Sequence, residues 1–534
     1  MNISALLYFW NIFWATPAFL FSRTTKSPNV SQFEVHSLPD SPALPTSWAG
    51  RLPVPGRADR NDIFFWLFQA EQKTYDDNLI IWFNGGPGCS SLIGLTTGNG
   101  PILFDGNSTK LIHNPNSWTK LGNVLYVDQP VGTGFSTASF PYPVKDNARV
   151  TDDFTRWLHG FFMYFPHLAT KQIHLIGESY AGLYIPYFAS ELLNSENKLP
   201  LDVRSMSLGD GSWGNGAAMS SVAMGAYLKS KAYMLNIPEE ILSVFNEADK
   251  TCGFNDILAQ SAIYPPKHRI HIPGNPENFN LKRRLSRDMN DALDSSCNIF
   301  PTTPDEVRIS IFNSTCYGHC AAHSTAMDYM TTTSDDGSRK PACYDVYDIS
   351  HDCSTVSSLP LMAEYFSRAD VQSALHVGHS GAFQACNSTI LSTLLAADSP
   401  VPPEYSILPS LVTKHNVSLH IYNGEWDMLI NHIGTELSIQ NMTWRGAQGF
   451  SQKPIQVFYP DDAAPSLTVN PTGTSAATTT LSTVAATAAP AGTWAMERGV
   501  SYHLFRGAGH SVFATKPREM FAFVRDVVVA PRRG

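Results

Sequence analysis

The chain has 534 residues, 43% of them apolar and 16% charged, which is enough to bury one large α/β core with insertions or two ordinary domains. Its formal net charge of -9 comes without a block of basic residues. This composition argues against a nucleic-acid partner, because phosphates require clustered Lys and Arg.

The chain begins with an apolar run, "MNISALLYFWNIFWATPAFLF", followed by Arg23 and Lys26. We interpret residues 1–21 as a secretory signal peptide; a signal-anchor is the alternative, because no basic residue precedes the run. No second stretch is long and apolar enough to span a bilayer, so we expect no other membrane insertion. Six Asn-x-Ser/Thr sequons are predicted glycosylation sites that fit a secretory route: Asn29, Asn107, Asn313, Asn387, Asn416 and Asn441.

Short apolar runs bounded by turn residues predict the buried strands of a mostly parallel sheet. They are Leu79–Phe83, Val124–Val127, Ile173–Ile176, Ser418–Tyr422 and Tyr502–Phe505. Between the second and third runs, the aromatic residues of Asp152–Phe165 recur at helical spacing and predict a helix that packs on the core. The expected fold is α/β, with its core in residues 33–210 and 359–527.

Residues 211–358 have a different sequence pattern, with few strand-like runs, many polar loops and six of the eight cysteines. We interpret them as a cap inserted into the core and held by disulfides. Cys316-x3-Cys320 beside His319 suggests zinc as an alternative, but the second ligand pair is missing, so disulfides are favoured. A second interruption, residues 463–492, is rich in Ser, Thr, Ala and Pro and predicts a disordered, O-glycosylated loop.

The stretch "LIGESYAG" carries the candidate nucleophile, Ser179, between a predicted strand and a predicted helix. A sharp turn there lifts the Ser hydroxyl off the sheet edge, as in a nucleophile elbow. The G-x-S-x-G pattern fails at Ala181, although Ala is small and Gly182 follows. An ordinary Ser in a strand–turn–helix unit is the alternative, so the partners of Ser179 decide.

An acid and then a His should follow the Ser, each just after a strand. "IYNGEWDMLIN" offers Asp427, with Glu425 as a rival that the pattern does not exclude, and "HLFRGAGHSVF" offers His510. The other histidines, His432 and His503, lie in a helical approach and inside a strand. His510 is expected to take the proton of the Ser hydroxyl while the acid holds the imidazole tautomer.

The glycine-rich stretch "FNGGPGCSS" also follows a predicted strand. The backbone N–H groups of Gly86 and Tyr180 are candidate donors of an oxyanion hole, whose loss typically costs ~10²–10³ in rate. The triad and these donors suffice for acyl transfer, so no metal and no organic cofactor is implied.

Several long motifs in this order resemble those of the serine carboxypeptidases, which are secreted or vacuolar α/β-hydrolases. The motifs are "WFNGGPGCSS", "NPNSWTKLGNVLYVDQPVGTGFS", "IGESYAGLYIP", "YFSRADVQSALHV", "YNGEWDMLINHIGTE" and "GAGH". The resemblance implies an α/β-hydrolase fold and a triad of Ser179, Asp427 and His510, so it selects Asp427 over Glu425. It also implies a disulfide between Cys89 and Cys386.

Members of this family hold the free carboxylate of a peptide C-terminus, and this explains a Glu beside the nucleophile. The resemblance assigns that role to Asn84, Gly85 and Glu178. Carboxyl groups gathered around a third carboxyl share protons, which explains a preference for acidic pH. The family's second Glu is absent, because this chain has Gly98 at that position and Asn99 could substitute only if the loop shifts.

Two further departures follow the same trend. Ser511-Val512-Phe513 replaces the family's Met-Val-Pro after "GAGH", and "LGDGSWGN" replaces a G-N-G type turn. Losing one hydrogen bond to a charged group costs roughly 1.5–3 kcal/mol, which weakens carboxylate recognition without touching the triad.

The expected function is therefore that of a serine carboxypeptidase, which releases C-terminal residues from peptides or proteins at acidic pH through an acyl-enzyme. The first alternative is an esterase or acyltransferase on the same scaffold, favoured by Gly98. The second is a secreted binding or chaperone-like glycoprotein, against which the complete triad argues. The sequence leaves the oligomeric state and the choice between vacuolar and extracellular fate open.

Overall fold

The structure is a computed structural model that describes residues 28–195, 199–273, 301–313, 319–331, 343–353, 358–397, 401–460 and 490–529. The predicted signal peptide, Cys297, Cys316 and nearly all of the predicted loop 463–492 lie outside these ranges. Within them, no helix combines the length and the apolar character needed to cross a bilayer.

The strands, numbered in chain order, include ten that form one sheet and six that form three small hairpins. They are β1 (Ser47–Pro53), β2 (Asp62–Phe68), β3 (Asn78–Phe83), β4 (Ile102–Phe104), β5 (Leu111–His113), β6 (Asn123–Asp128), β7 (Gln172–Glu178), β8 (Asp202–Gly209), β9 (Tyr344–Asp345), β10 (Asp348–Asp352), β11 (Ser418–Gly424), β12 (Thr443–Trp444), β13 (Ala447–Gln448), β14 (Gln456–Phe458), β15 (Gly492–Glu497) and β16 (Val500–Phe505).

The large sheet has the strand order β1-β2-β6-β3-β7-β8-β11-β16-β15-β14. Its inner strands, from β6 to β16, run parallel, and antiparallel strands form both edges. All five predicted strands lie in the parallel section, which confirms them. Strand β8 was missed because its polar residues interrupt the apolar run. One of them, Ser205, is buried and hydrogen-bonds His174 of β7 at 2.8 Å.

The α-helices lie mainly between the strands. They are Leu92–Gly94, Asn147–Tyr164, Ala181–Asn194, Gly216–Met219, Ser221–Leu235, Glu239–Thr251, Phe254–Ser261, Pro304–Phe312, Ala322–Thr331, Leu359–Phe366, Ala369–Ala374, Ser388–Ala396, Ile407–Lys414, His432–Asn441, Val512–Thr515 and Pro517–Phe523. Short 3₁₀ or π turns are Val30–Phe33, Lys73–Tyr75, Leu95–Asn99, Trp118–Lys120, Pro166–Thr170, Pro403–Tyr405 and Val524–Val528.

The helix Asn147–Tyr164 confirms the predicted aromatic stripe. The Asp146 side chain caps its N-terminus by accepting a hydrogen bond from the Arg149 N–H at 2.8 Å. Its buried face includes Phe154, Trp157 and Phe161, which pack on the same side of the sheet as Leu79 and Ile81 of β3. Ile80 and Trp82 of β3 belong to the cluster on the opposite side. Both faces of the parallel strands are thus covered, as predicted for an α/β fold.

The cap between β8 and β11 is more regular than predicted. Its described part contains five helices of eight to 15 residues and the hairpin β9–β10, which together build a third buried cluster. The prediction that polar loops dominate there was wrong for these residues, because the cap helices bury apolar residues at helical spacing, such as Ile241, Val244 and Phe245, rather than continuous apolar runs. Disulfides Cys252–Cys320 and Cys343–Cys353 hold it, so Cys320 is a disulfide partner and not a zinc ligand.

The sequons differ in their exposure. Asn29, Asn107 and Asn416 are exposed, and Asn313 and Asn387 are half-buried. Asn441 is only 5% exposed, and its Oδ1 accepts a hydrogen bond from the Ile270 N–H at 2.9 Å. A glycan on Asn441 would disrupt this packing, so the structure argues against that site.

Candidate active site

Five polar residues follow the carboxyl ends of five parallel strands. They are Asn84 after β3, Ser179 after β7, Asp210 after β8, Asp427 beyond β11 and His510 beyond β16. Since parallel strands end at one edge of a sheet, this arrangement gathers the polar side chains at the edge where α/β folds bind their ligands.

Ser179 occupies the turn between β7 and the helix Ala181–Asn194 with a φ of 59°, in the left-handed region. Its N–H donates to the Gly209 carbonyl at 2.9 Å, and its carbonyl accepts from the Gly182 and Ser212 N–H groups at 2.9 and 3.0 Å. A Cβ on Gly177 would come within 2.7 Å of the Ala181 Cβ, so Gly177 makes room for Ala in the interrupted motif. The turn has the backbone strain of a nucleophile elbow.

His510 and Asp427 form a buried pair, with 2.7 Å between the His Nδ1 and the Asp Oδ2. The other oxygen of Asp427 accepts from the Leu429 and Ile430 N–H groups at 2.8 and 3.2 Å, which orients the carboxylate. The His510 Nε2 is buried and has no hydrogen-bond partner in the described part of the chain. This nitrogen is therefore available to accept a proton.

The electrostatic surroundings of His510 favour its charged form. Burial by itself lowers the pKa of His510, but the charge of Asp427 and their hydrogen bond raise it, with further contributions from Glu178 and Asp345, and the net shift is upward. Glu178, the residue that adjoins Ser179, is thus one of the carboxyl groups whose charge favours the imidazolium form of His510.

The cap also holds His510. The His510 N–H donates to the Tyr347 carbonyl, in the turn of the hairpin β9–β10, at 2.7 Å. The Tyr347 ring lies edge-on to the imidazole with 5.2 Å between ring centres. A Cβ on Gly509 would come within 2.5 Å of the Asp348 Cβ, so this hairpin packs tightly against the loop that carries the histidine.

The rival residues have other surroundings. Glu425 forms an ion pair with Lys231 at 2.8 Å and accepts from the Gly507 N–H at 3.2 Å. His432 begins a helix, and burial lowers its pKa to about 4. His503 lies within β16 among aromatic rings, where burial lowers its pKa. In the described part of the chain, the hydrogen-bonded acid–histidine pair is therefore Asp427 with His510. Glu425 is paired with Lys231 instead.

The loop after β3 packs directly on the elbow. A Cβ on Gly85 would lie 2.5 Å from the Tyr180 N, so only glycine permits this approach. Gly86 has a φ of 107°, in the region that favours glycine. In the described residues, neither the Gly86 N–H nor the Tyr180 N–H donates a hydrogen bond that would compete with a substrate oxyanion. Cys89 and Cys386 form the disulfide that the resemblance implied.

Glu178 is buried between this loop and the loop of His510. Its Oε1 accepts from the Asn84 Nδ2 at 2.7 Å, while its Oε2 is buried without a hydrogen-bond partner in the described residues. The Asn84 amide is oriented because its Oδ1 accepts from the Trp82 Nε1 and the Gly94 N–H at 2.8 and 3.0 Å. Burial raises the pKa of Glu178 to about 7, opposed in part by His510 and by the Ser511 hydroxyl.

The position of the family's second Glu is filled by other atoms. A Cβ on Gly98 would lie 2.3 Å from the Phe513 carbonyl oxygen and 2.8 Å from the Phe513 Cδ2. Asn99, the residue that could have substituted, is fully buried, and its Oδ1 accepts a hydrogen bond from the Tyr126 hydroxyl at 3.0 Å. The departures at Gly98 and Phe513 are therefore one coupled change in packing.

Sequence reasoning assigned no role to three residues that contact the site: Asp210, Tyr347 and Ser511. Two of them had a visible signal, because "LGDGSWGN" and Ser511-Val512-Phe513 both depart from the family's pattern. Tyr347 had none, since nothing in a cap sequence shows which of its turns reaches the catalytic edge.

Comparison with known proteins is consistent with this arrangement. The family profile described as serine carboxypeptidase matches residues 42–530. A carboxypeptidase Y homolog of Arthroderma benhamiae is 43% identical over 541 residues, covering 99% of this chain and 100% of that protein. A pheromone-processing carboxypeptidase kex1 of Sclerotinia sclerotiorum is 31% identical over 84% of this chain and 63% of its own length.

The fold has a close counterpart among solved structures. The prohormone-processing carboxypeptidase Kex1(delta)p from Saccharomyces cerevisiae superimposes with a TM-score of 0.66 over 93% of this chain and 96% of that chain, at 22% identity. This likeness shows the fold.

Proposed function

The chain belongs to the serine carboxypeptidase family, and from that premise we propose that Ser179, His510 and Asp427 carry out its peptidase reaction. The observation that carries this proposal is the buried Asp427–His510 hydrogen bond of 2.7 Å, with the second imidazole nitrogen left unpartnered. A neutral His in that state is a general base, and the strained turn presents the Ser hydroxyl as the nucleophile.

The reaction proceeds through an acyl-enzyme. The Ser179 oxygen attacks the carbonyl carbon of the last peptide bond while His510 takes the hydroxyl proton. The resulting oxyanion accepts hydrogen bonds from the N–H groups of Gly86 and Tyr180. His510 then returns the proton to the leaving nitrogen, and the C-terminal residue departs. A water molecule repeats these steps on the ester and restores Ser179.

Carboxylate recognition is proposed for Asn84, Gly85 and Glu178. Below a pH of about 7, which is the pKa of Glu178, its carboxyl holds a proton and donates to the substrate carboxylate. Above that pH the ionised Glu178 repels the same carboxylate. Preference for a free C-terminus is therefore strongest in acid and declines as the pH rises through about 7.

The test is hydrolysis of an N-blocked dipeptide, as the free acid and as the C-terminal amide, from about pH 4 to 8. We expect the free acid to be preferred in acid and the preference to fall about tenfold per pH unit above the pKa of Glu178. The Glu178→Gln enzyme should lack this pH dependence because Gln cannot ionise. Equal cleavage of acid and amide at every pH would exclude carboxylate recognition by Glu178.

The alternative of an esterase or acyltransferase is favoured by one specific observation, the Phe513 backbone in the place of the family's second Glu. It predicts that esters and amides react as well as free acids. The same assay separates the two functions, because the triad is common to both and only the response to the substrate carboxylate differs.

The substrates are peptide or protein C-termini, by the family's activity. We further infer a secretory-pathway location, supported by three disulfides among the described residues and by exposed sequons. Digestion with an N-glycosidase should reduce the apparent mass of the native protein, and substitution of Asn441 should leave that reduction unchanged.

A further inference from the structure

Asp210 is a second buried carboxyl group beside the triad. It lies just after β8 with a φ of 42° and is fully buried, and its N–H donates to the Tyr422 carbonyl at 2.8 Å. Its Oδ1 accepts from the Gly424 N–H at 2.9 Å and from the Asn423 Nδ2 at 3.1 Å. Its Oδ2 is buried and has no hydrogen-bond partner in the described residues.

The neighbour of Asp210 is the catalytic carboxylate. One oxygen of Asp210, one oxygen of Asp427 and one nitrogen of His510 all lie within 4.8 Å of one another. Two ionised carboxylates at such a distance in a buried site repel strongly, and the repulsion is relieved when one of them holds a proton. Burial and then the charge of Asp427 raise the pKa of Asp210, so this is the carboxyl that stays protonated.

The hydrogen bonds indicate which oxygen holds that proton. Asp427 has two N–H donors on Oδ1 and the imidazole on Oδ2, the pattern of an ionised acceptor. Asp210 has both of its donors on Oδ1, which leaves Oδ2 as the oxygen that can carry hydrogen.

The other titratable groups that act on Asp210 do not supply a counter-charge. Three buried phenols interact electrostatically with Asp210: Tyr227 from the helix Ser221–Leu235, Tyr422 from β11 and Tyr502 from β16. Burial raises the pKa of each phenol, and an ionised Asp210 would raise it further. These phenols are neutral at the pH values at which peptidases work. Asp427 remains the charged acceptor next to Asp210.

We propose that Asp210 is a positioning residue that keeps a proton and donates it to Asp427, so that two carboxyl groups share the single negative charge of the triad. This inference rests on the proposed roles of Asp427 and His510. The hydrogen bond helps to fix Asp427 beside the imidazole, since all three groups lie within 4.8 Å of one another. It also disperses the charge of Asp427, and Asp427 then holds the imidazolium proton less strongly. His510 therefore remains a base at lower pH than it would beside an undisturbed carboxylate.

The test compares Asp210→Asn with the unchanged enzyme. Asn suits a left-handed turn and keeps an oxygen acceptor, but its amide is a weaker donor than a carboxylic acid and cannot ionise. The substrate is an N-blocked amino acid methyl ester, which has no free carboxylate for Glu178 to bind. Active sites are counted with a phosphonate that reacts with the serine, and kcat/KM is then measured against pH.

We expect the acid limb of Asp210→Asn to lie higher by about half to one pH unit, because Asp427 regains charge and raises the pKa of His510. An acid limb that stays in place or moves to lower pH overturns the proposal, since a purely structural role changes the rate at all pH values alike.

Asp249→Asn is the matched control. Asp249 is a buried carboxyl group in the cap helix Glu239–Thr251, one of its oxygens also lacks a partner, and burial raises its pKa to about 7. It does not belong to the group formed with His510, so its substitution should leave both limbs of the profile in place. A shift equal to that of Asp210→Asn would mean that any buried acid has the effect and would overturn the proposal.

If Asp210→Asn does not fold, the Glu178→Gln enzyme gives the answer. In that background a second low-field proton resonance, that of the Asp210–Asp427 hydrogen bond, should accompany the resonance of the His510 Nδ1–H. Its absence overturns the proposal. Failure of the carboxypeptidase function would instead appear as equal cleavage of free acid and amide, which the ester assay does not measure.

Discussion

The proposed catalytic half of this site and its proposed recognition half are built from different kinds of structure. Ser179, Asp427 and His510 follow three parallel strands of one sheet, and each is fixed by hydrogen bonds or by backbone geometry. The recognition half depends on Asn84, on Glu178 and on a turn whose Gly98 is packed against Phe513.

The difference shows which changes such a site tolerates. Acyl transfer by a triad uses three groups that act as a unit, so the loss of any one removes most of the rate. Carboxylate binding sums several hydrogen bonds, so one donor can be lost at a cost of roughly 1.5–3 kcal/mol and part of the preference remains. Divergence in this chain accordingly lies mainly in the recognition half, at Gly98, Ser511 and Phe513, and the turn of Asp210 beside Asp427 is the exception.

The largest loss of activity is expected for Ser179→Ala, which removes the proposed nucleophile. It should lower kcat by about 10⁶ for the free acid, the amide and the ester alike, because all three depend on one nucleophile. The measurement is steady-state hydrolysis of the three substrates. Ser190→Ala, on the outer part of the helix that follows the elbow, is the control and should retain full activity. Ester hydrolysis that survives in Ser179→Ala would place the chemistry elsewhere.

A smaller effect is expected when the family's acid is restored by Gly98→Glu. The new side chain meets the Phe513 backbone, so we expect a loss of about 1–3 kcal/mol in the free energy of unfolding and no gain in preference for the free acid. Thermal unfolding and the acid-to-amide ratio are the two measurements. Thr97→Glu places the same charge one residue away and should cost less stability. A stable Gly98→Glu enzyme with stronger preference would show that this turn adapts readily.

The smallest effect is expected from Ser511→Ala. The Ser511 hydroxyl opposes the rise in the pKa of Glu178, so its removal should raise that pKa further and keep Glu178 protonated to higher pH. The midpoint at which preference for the free acid declines should move up by only a few tenths of a pH unit, because the hydroxyl makes no close hydrogen bond to Glu178. A midpoint that moves down would show that Ser511 does not stabilise the ionised form.

The parts of the fold that the sequence predicted are those buried on both faces. Strand β3 shows this well, because every residue from Asn78 to Phe83 is buried and the apolar run reflects it directly. Strand β8 escaped prediction because Ser205 is satisfied by His174 of the neighbouring strand, which no local pattern reveals. The cap helices escaped for a related reason, since their buried residues, such as Leu228, Ile241 and Phe245, are spaced along helices and form no continuous apolar run.

Within the site, single motifs predicted Ser179, Asp427 and His510, which follow strands. The order of those strands in the sheet then determines which of these residues meet. The packing that results from the departures from the family's pattern was not predictable from the sequence. The contact of Gly98 with Phe513 joins two distant segments, so a missing Glu could be seen but not the backbone that replaces it. The closeness of Asp210 to Asp427 likewise depends on the adjacency of β8 and β11.

The contact between the hairpin β9–β10 and His510 determines when the site can form during synthesis of the chain. Ser179 leaves the ribosome before the cap, and His510 leaves it after the cap. Because the His510 N–H donates to the Tyr347 carbonyl, the histidine is in place only after the cap has folded and β16 has joined the sheet. With His510 as the proposed general base, we expect a nascent chain to lack peptidase activity until its own folding is complete.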